Sequence, residues 1–126
     1  MKIEIPGIDA EKGLDLYDGD FDMYLAVLRS YAAKVPAALN KLRTVTAETL
    51  PDYTITVHGV KGTSTNIGAE ETRIAASKLE AMAKAGDLSG VLAANETFLK
   101  QADKLLKDIQ SWLKEFDGKS GNLASC

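Results

Sequence analysis

The sequence predicts an all-α protein: an antiparallel four-helix bundle preceded by a short N-terminal helix. Two observations carry this. Apolar residues recur at alternating steps of three and four over long stretches, the period of a helix that buries one face. Stop and start residues (Leu50-Pro51-Asp52 and Gly86-Asp87) divide those stretches with short connections, so successive helices must fold back on one another. At 126 residues the chain is one domain with enough length for a core of its own.

The elements follow in order. A short helix is predicted near Ala10 to Tyr17. Asp20 then caps a helix carrying Tyr24, Leu28, Tyr31, Val35, Leu39, Leu42 and Val45 on one face. Pro36 lies inside this pattern and predicts either a kink or a break into two shorter helices. Pro51 biases Leu50 away from helical geometry but suits the first turn of the next helix. Tyr53 to Val57 alternates like a strand, yet Tyr53, Val57, Val60, Ser64 and Ile67 give helical steps of four and three, and only the helical period survives past Gly59. Ala69 to Ala85 reads as a helix with Ala75, Leu79 and Met82 on one face, closed by Gly86. Asp87 caps the last helix, whose stripe is Leu88, Val91, Asn95, Phe98, Ala102, Leu105, Ile109, Trp112 and Phe116. Its lysines (Lys100, Lys104, Lys107, Lys114) read as a solvated face. Residues 1–116 are thus the folded unit, and 117–126, small and polar, read as a disordered tail.

Composition narrows the function. A net charge of -3 argues against nucleic acid or an anionic membrane as partner. One cysteine, Cys126, excludes an internal disulfide framework, and with no signal-peptide or membrane-spanning run a cytoplasmic location is expected. One histidine and a terminal cysteine offer no metal site. GVKGTSTNIG lacks the Gly-Lys-Ser/Thr order of a nucleotide loop.

The only histidine lies in VHGVKGTSTNIGA, residues 57–69. On a helical wheel with Tyr53 to Ile67 as the core stripe, His58 falls roughly 140° from the core direction. Ile55, Gly59, Gly62 and Thr65 share the outward patch, and Lys61 stands one turn from His58 at its edge. Ser64 points to the core, which speaks against a Ser-His-Asp triad. Each interior glycine costs roughly 0.8–1 kcal/mol of helix stability relative to alanine. A helix surface without side chains suits close approach by another molecule.

HGVKGTSTNIGA resembles the signature of histidine-containing phosphotransfer (HPt) domains, approximately H-x-L/I/V-K-G-S/A/T-S/A-x-x-I/L/V-G-A. His58, Val60, Lys61, Gly62, Thr63, Ser64, Ile67, Gly68 and Ala69 fill it without a gap. PGIDAEKGL with GDFDMYLAVLRSY resembles the family's N-terminal stretch, and Leu79-Glu80 a Leu-Glu pair of its fourth helix; together they span about residues 6 to 116. Gly59, where many members carry a larger residue, and the Thr54-Ile55-Thr56 run are departures that weaken the helix locally.

The resemblance implies a four-helix bundle and a place in a two-component phosphorelay. His58 would accept a phosphoryl group from the phosphoaspartate of a response-regulator receiver domain, one carried by a hybrid histidine kinase among them, and pass it to another receiver. Lys61 would support the phosphoryl group, and Ile55, Gly59, Gly62 and Thr65 would form the docking patch. Such a chain is a phosphocarrier without kinase activity of its own. It binds no cofactor; Mg²⁺ and the acidic pocket come from the receiver, since no carboxylate cluster is evident around His58. The alternative function is a helical adaptor that docks receivers without carrying phosphate.

Overall fold

The computed structural model describes residues 3–125, and side chains as far as Lys119. Cys126 and the side chains of residues 120–125 lie outside the described residues. Within them every regular element is a helix and none is a strand: α1 (Ala10–Asp15), α2 (Phe21–Leu42), α3 (Leu50–Thr65), α4 (Glu70–Lys84) and α5 (Leu88–Ser125).

Aspartate begins three of the five. Asp9 accepts from the Lys12 N–H, Asp20 from the Met23 N–H and Asp87 from the Gly90 N–H, each satisfying a first-turn donor that has no carbonyl partner. Helix α3 starts at Leu50, which is helical despite the bias expected from the following proline, with Pro51 in its first turn and no side-chain cap. Pro36 does not divide α2. One helix runs through it, its buried stripe of Tyr24, Leu28, Tyr31, Val35, Leu39 and Leu42 continuous on both sides. Six buried side chains at roughly 1.5–3 kcal/mol each outweigh the ~3 kcal/mol that an interior proline costs.

Helix α2 packs on α3 and α5, and α4 packs on the same two, so the four long helices close a ring of contacts around one core; α1 leans on α2. Two polar contacts inside this core fix the rotation of α3. The Tyr53 hydroxyl donates to Asn95 Oδ1 at 2.8 Å, while Asn95 Nδ2 donates to the Leu42 carbonyl at 2.8 Å, tying α5 to α3 and α2. Further along, the Ser64 and Tyr31 hydroxyls meet at 3.1 Å. With Tyr53, Val57, Val60 and Ser64 all turned inward, the opposite side of α3 must face solvent.

The end of α3 is held as firmly. Tyr24 donates to the Ile67 carbonyl at 2.7 Å and Tyr17 to the Asn66 carbonyl at 2.9 Å. Gly68 sits at φ +78°, with its carbonyl accepting the Asp9 N–H at 2.9 Å. A Cβ at Gly68 would stand 2.3 Å from the Asp9 oxygen, so this turn has room for glycine alone.

On α4 the buried face is Thr72, Ala76, Leu79, Glu80 and Ala83, with Ala75 and Met82 only partly buried, so the inward stripe is turned from the predicted one. Two arginine–carboxylate forks, Arg29 to Asp117 and Arg43 to Asp103, join α2 to α5. Helix α5 continues past Phe116 through the segment read as a tail, as far as Ser125; Phe116 stacks on Trp112 and meets Phe21. No helix among the described residues is long and apolar enough to cross a membrane.

Candidate functional site

The outer face of α3 carries Ile55, His58, Gly59, Gly62 and Thr65, all exposed, as the helical period predicted. This stretch is poor in helix-forming residues, and its threonines turn their hydroxyls back onto the helix backbone, which satisfies the hydroxyls without strengthening the helix. Thr54 donates to the Leu50 carbonyl, Thr56 to Asp52, Thr63 to Gly59 and Thr65 to Lys61, each hydroxyl closing back on the turn before it. Beyond the backbone of its own helix, a Cβ built on Gly59 or on Gly62 meets no heavy atom of the described residues within 4 Å. Neither glycine is required by the fold of this chain, and both leave open surface beside His58.

Against this face α4 presents a carboxylate. Glu80 is only 5% exposed, yet each of its oxygens has a partner from α3. The His58 Nδ1 lies 2.5 Å from Oε2, and the Lys61 Nζ lies 2.5 Å from Oε1. Lys84, one turn further along α4, reaches Oε2 at 3.4 Å. The Lys61 hydrogen bond is the largest influence holding the Glu80 carboxyl down at about 2; His58 and Lys84 add to it, and burial opposes it. Glu80 is therefore an ion at every physiological pH.

That ionisation sets the histidine's tautomer. An ionised carboxylate can only accept a hydrogen bond, so Nδ1 carries the hydrogen and donates it. In the neutral ring Nε2 is then left with its lone pair. His58 is 63% exposed, and its bound nitrogen is the one turned to Glu80. The site thus holds an imidazole fixed by one nitrogen and nucleophilic at the other.

The residues singled out from the sequence fall into two groups. His58, Ile55, Gly59, Gly62 and Thr65 share one open face, and Ile55, at 72% exposed, also walls a surface hollow with Lys41, Thr49 and Asp52. Lys61 is different: it is 29% exposed and committed to Glu80. The sequence points to no carboxylate cluster around His58, and one carboxylate, Glu80, which the helical wheel of α3 cannot show, lies directly on its ring. A signal for Glu80 was present. Its position beside Leu79, between Ala76 and Ala83, puts a charge at a core-facing step of α4, where a carboxylate needs partners. Lys84 follows Glu80 at i+4, the spacing of a helical ion pair.

The chain matches no protein-family model, and neither a curated protein nor a solved structure matches it.

Proposed function

We propose that this protein is a phosphocarrier of a two-component phosphorelay, taking a phosphoryl group on His58 from a receiver-domain phosphoaspartate and delivering it to a second receiver. The fold supporting this reading is an antiparallel four-helix bundle formed by α2 to α5, with α1 as the short N-terminal helix. The observation that carries the reading is the exposed imidazole whose Nδ1 is held by a buried, ionised glutamate, on a helix face cleared by two glycines.

The chemistry follows from that geometry. The Nε2 lone pair attacks the phosphorus of the acyl phosphate in line, forming the N–P bond. The P–O bond to the aspartate breaks, and its electron pair leaves with the carboxylate. The ring keeps its Nδ1 hydrogen and takes on positive charge, which the Glu80 carboxylate stabilises across the hydrogen bond. No proton leaves or enters. Attack by the second receiver's aspartate runs the same step backwards. The protein's share is positioning and charge; Mg²⁺ belongs to the receiver's acidic pocket, and the chain needs no nucleotide of its own. Gly59 and Gly62 give the receiver clearance, and Ile55 and Thr65 lie on the face it covers.

Incubation with a phosphorylated receiver tests this. Acid-labile, base-stable phosphate should appear on the wild-type chain and be absent from His58→Gln. A wild-type chain left unlabelled by every receiver of the source organism would favour the receiver-docking adaptor instead. Equal labelling of His58→Gln would remove His58 as the acceptor.

A further inference from the structure

Two ammonium groups and one carboxylate meet beside His58, and the sum is one positive charge too many. The two lysines are not equivalent. Lys61 is largely covered and donates to Oε1 at 2.5 Å; among the described residues no other contact of that oxygen offers it a charge, so withdrawing Lys61 would leave a buried carboxylate oxygen uncompensated. Lys84 is 64% exposed and stands 3.4 Å from Oε2, an oxygen that the His58 N–H already satisfies. Its departure would cost Glu80 little. Asp87, the next acidic residue along the chain, has its Oδ1 engaged as the cap of α5.

We infer that Lys84, on α4, is the cation that engages a phosphoryl group on His58, while Lys61 stays on Glu80 as a positioning residue. This rests on the phosphocarrier reading for its ligand, and it reverses the part that the sequence pattern gave to Lys61. A phosphoryl group on Nε2 brings about two negative charges to the edge of the ring away from Glu80. The flexible four-carbon stem of Lys84 lets its ammonium move from Oε2 to those oxygens without disturbing α3. Lys61 cannot follow without uncovering the charge it neutralises. The site is therefore built for a dianion in two layers: a fixed salt bridge below the imidazole and a mobile ammonium beside it.

The test does not require a receiver. The full chain is phosphorylated chemically with phosphoramidate, and the phosphohistidine is titrated by ³¹P NMR. An ammonium at contact distance in water lowers the second phosphate ionisation by roughly half a pH unit. Lys84→Ala should raise that midpoint by about this amount. Lys84→Arg should restore it. Lys61→Ala should move it less, while lowering the urea midpoint of the unphosphorylated protein more than Lys84→Ala does. A midpoint unmoved by Lys84→Ala but raised by Lys61→Ala overturns the assignment, and so does failure of phosphoramidate to label His58. The two failures are separable. Receivers that do not label a chain with a Lys84-dependent titration would defeat the carrier reading and leave the anion site standing; receivers that label a chain whose titration ignores Lys84 would do the reverse.

Discussion

Gly59 and Gly62 weaken the helix that bears His58, and among the described residues no atom outside that helix's own backbone comes close enough to either position to call for a glycine. Replacing each with alanine adds a methyl group to open surface and removes unfolded-state freedom, a gain of about 0.8–1 kcal/mol per site. At the average unfolding entropy per residue, a 126-residue chain has an entropy near 0.26 kcal/mol/K, so each substitution raises Tm by about 3–4 °C. The two positions are three apart and their methyls point outward, so the gains should nearly add, giving about 6–8 °C for the double variant. Thermal unfolding followed by circular dichroism at 222 nm reads this directly. Gly62→Arg separates stability from docking, because arginine is nearly as good a helix former as alanine. It should melt no lower than wild type yet slow transfer from a phosphorylated receiver about tenfold or more, the equivalent of 1.4 kcal/mol lost from the encounter. A double alanine variant that melts below wild type would refute the claim that this surface is open. Unchanged transfer by Gly62→Arg would refute the claim that the opening serves a partner.

Two further outcomes follow from the contacts around α3. Glu80 titrates at about 2 in the folded chain against an ordinary 4.5, so its stabilising contribution, roughly 3 kcal/mol, is complete above pH 4.5 and is lost as pH falls through 2; urea unfolding should show Glu80→Gln less stable than wild type at pH 6 with the gap closing toward pH 2, and a gap independent of pH would contradict the pairing of Glu80 with Lys61, His58 and Lys84. Gly68→Ala forces a Cβ onto the Asp9 carbonyl at positive φ and should lower unfolding free energy by about 2 kcal/mol or more, an unchanged urea midpoint counting against the tight α1–Gly68 junction.

Most of the helical pattern was legible in the sequence because each local signal agreed with the next. Asp20 before Tyr24, Pro51 after Leu50, and Gly86 before Asp87 mark real boundaries, since caps and prolines act within one turn and need no tertiary context. Gly86 stands at φ +73°, the left-handed position that ends a helix. The segment Tyr53–Val57 shows where propensity misleads. Its β-branched residues favour a strand, yet Tyr53 and Val57 are buried from one helical face, with Tyr53 anchored to Asn95. Burial at a period of three and four outweighs a preference of a few tenths of a kcal/mol per residue. The inward face of α4 was less legible. Alanine carries little weight in a hydrophobic stripe, so the difference between Ala75 and Ala76 as the buried position leaves almost no trace in the pattern.

The histidine's exposure was legible for the same reason as the helices: it depends only on the period of α3. Its chemistry was not, because Glu80 reaches it across 22 positions of chain and a tertiary contact. A wheel drawn for one helix assigns His58 a direction but no neighbour. On that wheel Lys61 stands as a free cation one turn away. In the folded chain it belongs to a carboxylate, and the more exposed ammonium, that of Lys84, lies on another helix. What could have exposed this is Glu80 itself, a charge at an inward step of α4. A buried carboxylate must be paired, and with Lys84 reaching only one of its oxygens from within the same helix, the remaining partner had to come from whatever packs against it. The helix α3 is that neighbour, and beside Glu80 it offers Lys61 and His58. The demand of one buried charge for partners thus leads from Glu80 to Lys61 and His58 on the facing helix.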